Sequence, residues 1–490
     1  MRSKRHALAA ACLAALLPVF AGGCTMAPKY TQPSPVLPGD WTSGAGAKAT
    51  PGVKAQDWRQ IIADEPTKRL VELALINNRD LRVAALKIEK AQAQYQIQRA
   101  DLLPKIDATG GANMQRTPAK LSGTGVAVTS RTYSVGLGFS SFELDLFGRI
   151  QSLKDEALEN FLATEASRRS VELSLVAEVA TAYLTLAADR EQLTLAQEIL
   201  DTELASYDIV QQRFNFGVAN ELDLSQAQTT VDTAKVNVAT YTAKVTSDEN
   251  TLSVLVGMPL SAELLPAKSL ADVAPLNPVP AGLPSEVLTR RPDVLAAEHQ
   301  LKAANADIGA ARAKYFPSIG ITSSVGFASN EVRDLFNSPA GAWSFVPQLT
   351  VPIFHAGAIR AGVKASEAER DIMVAQYEKT VQTAFKEVSD ALAQSASLET
   401  QVSAQSSLVK ATGKSYELST LRYENGVDSY LSKLDSQRSF ASSRQNLISA
   451  RLSRLANTLT LYKALGGGWD SEQAQAAEKA AEEKKLAQAK

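Results

Sequence analysis

The sequence predicts an α+β membrane protein in which a transmembrane β-barrel, four strands per chain, is continued by a long α-helical coiled-coil barrel. Three observations lead to this fold class: an internal duplication, a change of hydrophobic period within each copy, and helices much longer than those of a globular domain. The chain has 490 residues, of which 45% are hydrophobic, so it can bury substantial cores.

The chain contains a tandem repeat. Two segments align at a constant separation of 209 positions and share turn glycines, aromatic residues and leucines. The matched residues are Tyr207, Arg213, Phe214, Gly217, Val218, Leu222 and Gly257 in the first copy, and Tyr416, Arg422, Tyr423, Gly426, Val427, Leu431 and Gly466 in the second. We therefore divide the chain into repeat 1, residues 61–270, and repeat 2, residues 271–469.

Each copy contains two segments in which apolar and small polar residues alternate. This period of two is typical of strands with one apolar face. Loops rich in Gly, Ser and Pro separate the two segments of each copy. The predicted strands lie within 106–147, at about 106–115 and 132–147, and within 318–354, at about 318–328 and 342–354.

Helices surround these strands in each copy. A first helix precedes the strands, at about 65–103 in repeat 1 and at 284–315 in repeat 2. Very long helices follow at 148–216 and 357–425, where no proline interrupts the sequence and, in repeat 1, apolar residues follow a heptad pattern. Each would be roughly 100 Å long at 1.5 Å per residue.

Glycines end both long helices. Gly217 and Gly426 are expected to turn the chain into shorter return helices at 219–256 and 428–465. Residues 470–490 are polar, without an apolar stripe, and are predicted to be a frayed helical or disordered tail.

The N-terminus carries an export signal. A basic start and a short apolar stretch predict a signal peptide over residues 1–23. Small residues stand directly before Cys24, as in a bacterial lipobox, so we expect a diacylglycerol and an N-acyl chain on Cys24. Residues 24–60 would then be a lipid-anchored extended tether. The alternative is an ordinary secretory signal with an incidental cysteine.

Composition argues against several function classes. Lys and Arg number 51 and Asp and Glu 52, so no large net charge is available to attract nucleic acid. Three histidines and two cysteines provide little for metal or thiol chemistry, and we expect no metal and no cofactor. The sequence shows no combination of nucleophile, base and oxyanion-stabilising residues that would indicate an enzyme.

The four strands require an oligomer. Open strand edges in a bilayer leave unpaired backbone groups, each of which costs several kcal/mol, so the sheet must close. Two chains would give eight strands and a filled barrel, whereas three chains give twelve strands and a lumen. A homotrimer is therefore the smallest assembly that forms a duct.

Several motifs resemble one family. The lipobox-like start, the Leu103-Pro104 step before the strands, the Phe147-Gly148 junction after them and the ending Leu461 to Trp469 resemble the OprM/NodT lipoprotein branch of TolC-like outer-membrane factors. The resemblance covers nearly the whole mature chain. It implies a trimeric exit duct in the outer membrane that works with a periplasmic adaptor and a resistance-nodulation-division (RND) inner-membrane pump and exports drugs and other toxic small molecules.

The resemblance also implies a gate. In this family the helix turns form a periplasmic end closed by rings of side chains, and the stretch after Gly426 matches the part that supplies them. Leu431 and Asp435 lie one helical turn apart, and Leu222 corresponds to Leu431 in the first copy. The possible latch residues are Arg422 and Tyr423, with Asp189 as a weaker candidate partner.

Two other functions remain open. One is a duct for type I protein secretion. The other, from a different class, is a trimeric coiled-coil envelope lipoprotein or adhesin, which would explain the heptads but not the four strands placed identically in the two copies.

Overall fold

A computed structural model describes residues 25–33, 57–123, 125–266, 269–270, 273, 276–277, 285–337 and 340–467. The predicted signal peptide, Cys24, most of the tether and the polar tail lie outside these residues. The described helices and strands follow one another as α1 (Trp58–Ile61), α2 (Glu65–Asn77), α3 (Arg79–Ala100), β1 (Asp107–Thr117), β2 (Val128–Leu144), α4 (Arg149–Asn215), α5 (Glu221–Val256), α6 (Pro292–Ala313), β3 (Ser318–Ser329), β4 (Gly341–Thr350), α7 (Ala358–Glu424) and α8 (Tyr430–Ala464).

The chain forms two compact units, and neither coincides with one repeat. Among the described residues, unit 1 lies in the ranges 25–33, 87–165 and 296–378, and unit 2 lies in the ranges 57–86, 166–295 and 379–467. Each unit is therefore built from corresponding parts of both copies. The long helices α4 and α7 contribute residues to both units.

Unit 1 contains a four-stranded antiparallel sheet in the order β1-β2-β3-β4. Its register pairs the alternating apolar residues, with Leu137 opposite Val325 and Val325 opposite Trp343. All three are exposed in the single chain. One face of the sheet is thus apolar, as the period of two predicted, and β1 and β4 are edge strands within the described residues.

The core of unit 2 packs helices from both copies around α4. Trp58, Ile61 and Leu70 of α1 and α2 belong to one buried cluster with Val179 of α4 and Leu459 of α8. Among the described helices, α4 alone is long and apolar enough to cross a membrane, and 61% of its apolar window is buried inside the chain. Its hydropathy is therefore that of a core helix.

The first helix of repeat 1 is two helices, which corrects the prediction of one helix from 65 to 103. Asn78 interrupts it with an extended backbone, accepts a hydrogen bond from the Leu81 amide at 2.9 Å and donates to the Leu255 carbonyl at 2.8 Å. Asparagine competes with helical hydrogen bonds in this way. A tertiary contact with α5 thus sets the break.

Other boundaries also differ from the sequence-based ones, among them β2, which runs from Val128 to Leu144 where 132–147 was predicted. Helix α1 begins at Trp58, inside the predicted tether, because Asp57 caps it. The helix predicted at 284–315 starts as a 3₁₀ segment, and α6 begins at Pro292, since the residue before a proline disfavours the α conformation. Strand β4 ends at Thr350, four residues before the predicted end at 354.

Candidate functional site

The two helical turns of unit 2 have the same backbone. Gly217 and Gly426 adopt φ values of +75° and +70°, which favour glycine. The amides of Val218 and Ala219 donate to the Arg213 carbonyl, and those of Val427 and Asp428 donate to the Arg422 carbonyl. Asn220 and Ser429 then cap α5 and α8 through side-chain oxygens.

A small hydrophobic cluster joins the two turns. We call it the tip cluster. It consists of the buried residues Val210, Ala227, Tyr430 and Leu434 and the partly buried Tyr207, Leu224 and Tyr423. Because its members come from α4, α5, α7 and α8, both turns lie at the same end of unit 2.

The residues predicted for the gate lie outside the tip cluster. Leu222 is 65% exposed and Leu431 is 50% exposed, and Asp435 is also exposed in the single chain. Leu434, between Leu431 and Asp435, is 1% exposed and supplies the inward packing. The first turns of α8 therefore hold Leu431 and Asp435 on the side away from the tip cluster.

Two of the predicted latch residues already have partners within the chain. Arg422 forms a bidentate ion pair with Asp428 in its own turn, with N···O distances of 2.6 and 3.0 Å. This pair lowers the pKa of the Asp428 carboxyl below its usual value. The Tyr423 hydroxyl accepts a hydrogen bond from Nη1 of Arg213 at 2.7 Å.

The third predicted latch residue is far from the other two. Asp189 precedes Arg213 by 24 positions on the same helix, which is roughly 36 Å at 1.5 Å per residue. It lies beside Asp248 of α5. Burial of the Asp248 carboxyl is the main cause that raises its pKa to about 6, and the nearby Asp189 is the second cause. The structure therefore does not bring Asp189 to Arg422 or Tyr423.

The sequence reasoning missed three residues at this end of unit 2. Arg213 contacts Tyr423, with its guanidinium carbon 5.2 Å from the ring centroid. Lys433 Nζ lies 5.5 Å from the same ring centroid, and Glu203 is buried nearby on α4. Arg213 matches Arg422 in the repeat alignment, and this match could have identified Arg213 as a candidate. Lys433 and Glu203 have no such counterpart.

The comparison with protein families fits this architecture. The model of one family, described as outer membrane efflux protein (OEP), matches residues 70–258 and again residues 283–467. This chain belongs to the outer membrane efflux protein family. The two separate matches correspond to the two copies of the duplication. Proteins of this family are outer membrane channel proteins.

Named efflux proteins resemble the chain over nearly its full length. It is 46% identical over 466 residues to the antibiotic efflux pump outer membrane protein ArpC and to the toluene efflux pump outer membrane protein TtgC, both of Pseudomonas putida, covering 94% of this chain and 96% of each relative. The open state of the Neisseria gonorrhoeae MtrE outer membrane channel is 37% identical, with a TM-score of 0.81, over 91% of this chain and 98% of that one.

These matches confirm the predicted fold class. The efflux protein is one protomer of a homotrimeric channel, in which four strands per chain give a twelve-stranded transmembrane barrel and long helices extend into the periplasm. It is an outer-membrane component of a tripartite RND-type efflux system.

Proposed function

We propose that this efflux protein is the exit duct for drugs and other toxic small molecules, and that Leu222, Leu431 and Asp435 close its periplasmic end at rest. The supporting observation is the geometry of the turns. The tip cluster fixes the backbone of both turns from inside, while these three side chains remain exposed and take no part in it.

A trimer would bring six leucines and three carboxylates to this constriction. Leucines around a narrow opening exclude water, and a ring of carboxylates favours cations over anions. The first copy carries Gln226 where the second carries Asp435, so the acidic ring comes from the second copy only. We place the stronger part of the gate on α8.

The latch in this proposal joins the two copies within one chain. The Arg213–Tyr423 hydrogen bond connects the end of α4 to the end of α7, with the Lys433 ammonium also near the tyrosine ring. The Arg422–Asp428 pair stiffens the second turn itself. If the two helical hairpins separate when the duct opens, the Arg213–Tyr423 hydrogen bond must break.

Cys24 is proposed to carry the covalent diacylglycerol and N-acyl chain, which would anchor the mature N-terminus in the outer membrane. The observation behind this part is the order of basic, apolar and small residues before Cys24. We assign no other bound group and no catalytic step to the chain. Intact mass of the purified protein tests the anchor, and an unmodified cysteine would remove it from the proposal.

The export function is tested by complementation. The chain is expressed with its own adaptor and RND pump in a strain that lacks its outer-membrane ducts. We expect resistance to several antibiotics and to an organic solvent such as toluene, the two substrate classes in the names of the relatives. Unchanged susceptibility, with the trimer present in the outer membrane, would contradict the proposal. Restored secretion of a protein substrate instead would favour a type I secretion duct.

A further inference from the structure

A buried carboxylate of α4 interacts with charges of α8, the helix that carries Leu431 and Asp435. Glu203 is 5% exposed, and no hydrogen-bond donor among the described residues reaches its Oε2. Burial is the main cause that raises the pKa of Glu203 above its ordinary value. A carboxylate is costly in such a place, because its charge loses water without gaining full compensation.

The immediate hydrogen-bond partner of Glu203 compensates its charge only in part. The hydrogen bond from the Thr230 hydroxyl lowers the pKa of Glu203 without outweighing burial, and the same hydroxyl donates to the Ala227 carbonyl at 2.8 Å. One hydroxyl has a single proton to donate. A protonated Glu203 can donate to the Thr230 oxygen and leave the Thr230 proton on the Ala227 carbonyl, so both of these hydrogen bonds have a donor.

The lysine that acts on Glu203 belongs to the part of α8 that carries the proposed gate residues. Lys433 stands between Leu431 and Asp435, yet its side chain turns inward and Nζ reaches the Ser206 hydroxyl at 3.4 Å, one turn from Glu203. Its charge acts on Glu203 without a direct ion pair, and burial lowers the pKa of Lys433. Lys433, which acts on Glu203, and the proposed gate residues Leu431 and Asp435 therefore lie within the same two turns of α8.

Other titratable groups surround this pair on three helices. Tyr430 and Arg438 lie on α8, Tyr416, Tyr423 and Glu424 lie on α7, and Asp223 lies on α5. Only Lys433 and Arg438 among these lower the pKa of Glu203, and neither outweighs burial. The proton affinity of Glu203 therefore depends on how closely α8 packs against α4.

The reciprocal positions of the two repeats lack this arrangement. The position that matches Glu203 is Thr412, whose hydroxyl is 2.8 Å from that of Ser443, and the position that matches Lys433 is Leu224, a member of the tip cluster. The charged pair therefore occurs only behind the turn that carries Asp435. Glu203 belongs to the first copy and Lys433 to the second, and the two reciprocal positions, Thr412 and Leu224, carry no charge.

We propose that Glu203 is a proton-responsive positioning residue of the gate: its neutral form keeps the first turns of α8 packed against α4, and its ionisation favours their release. The inference rests on the gate proposed above. In the packed state the pKa of Glu203 is raised, so protons favour packing. This stabilisation is fully present below the ordinary carboxyl pKa of 4.5 and is lost as the pH rises through the raised value.

Single-channel conductance of the purified trimer in planar bilayers tests this, measured between about pH 4.5 and pH 8. The parent protein should conduct more as the pH rises. Glu203→Gln imitates the neutral acid, so its conductance should stay at the low acidic level throughout. Lys433→Gln removes a charge that lowers the pKa of Glu203, so the rise should move to higher pH.

Glu198→Gln is the matched control. Glu198 also lies on α4 and also contacts α8, through Arg444 at 2.9 Å, but its side chain is 54% exposed. This variant should keep the parent profile. A pH-independent parent, a Glu203→Gln trimer with the parent profile, or a profile abolished by Asp435→Asn alone would overturn the inference. Failure of the proposed gate would give a different result. In that case the double variant Leu431→Ala with Asp435→Ala would conduct like the parent protein at every pH.

Discussion

The turn at Gly217 and the turn at Gly426 share a backbone but not a chemistry. Both have a left-handed glycine, the same pair of hydrogen bonds to an arginine carbonyl and a polar N-cap. The side chains differ. Asp428 pairs with Arg422 in the second turn, whereas the first has Ala219 at that position and leaves the Arg213 side chain to Tyr423.

This difference shows how a duplicated hairpin can acquire two roles. Backbone hydrogen bonds and glycine conformation fix the turn without regard to neighbouring side chains. Exposed and interfacial positions can then change without loss of the fold. The second turn carries Asp435, the Arg422–Asp428 ion pair and the inward-facing Lys433. We therefore expect the second turn to contribute more than the first to the low conductance of the closed duct.

The largest expected effect is on the gate itself. Leu431→Ala combined with Asp435→Ala should raise single-channel conductance several-fold and admit vancomycin into whole cells, because it removes three leucines and the whole acidic ring from the trimer. The matched first-copy variant, Leu222→Ala with Gln226→Ala, should do much less. Equal effects would mean that the two turns contribute alike. Asp435→Asn alone should weaken cation preference with little change in conductance.

The next effect concerns the link between the copies. Arg213→Gln removes the hydrogen bond to Tyr423, which is partly buried, and should destabilise the end of α7 and the start of α8 by about 1–2 kcal/mol. Amide hydrogen exchange in the first turns of α8 measures this change. Arg422→Gln breaks an exposed pair and should alter the exchange less. The reverse order would make the second turn's own ion pair the main restraint.

Substitution of the turn glycines should affect both turns equally. Gly217→Ala and Gly426→Ala each place a side chain in a left-handed conformation, at a cost of about 1 kcal/mol. No atom lies within 4 Å of the added Cβ at either position, so strain is the only penalty. Thermal unfolding of the two variants should show matching losses. A clear difference would reveal that one turn is held by its neighbours in the trimer.

The smallest expected effect is on the helix caps. Asn220→Ala should destabilise the start of α5 by about 1 kcal/mol. Ser429→Ala should destabilise the start of α8 somewhat less, because its cap hydrogen bond is longer, 3.3 Å against 2.9 Å. Hydrogen exchange of the first-turn amides compares the two. A larger loss at Ser429 would show that the second turn depends more on its cap than the distances indicate.

Local patterns predicted the elements well where one interaction dominates. Glycine conformation placed both turns, and the period of two placed all four strands, since one sheet face is apolar. Prediction was less successful where a distant contact decides, as at Asn78, which breaks its helix by bonding the Leu255 carbonyl. Asp189 was a poor latch candidate for a related reason, because residue type alone does not give its distance from Tyr423.

Local patterns were enough to predict the duplication, the strand and helix order, and the positions of Leu222, Leu431 and Asp435 relative to the turns. Periodicity and repeat spacing are local properties of the chain, so they can be seen without a fold. Only the tertiary structure decided that Arg213 meets Tyr423 and that Lys433 turns inward beside a buried Glu203. These contacts join residues about 210 to 230 positions apart. Burial, which raises the pKa of Glu203, exists only once four helices pack together.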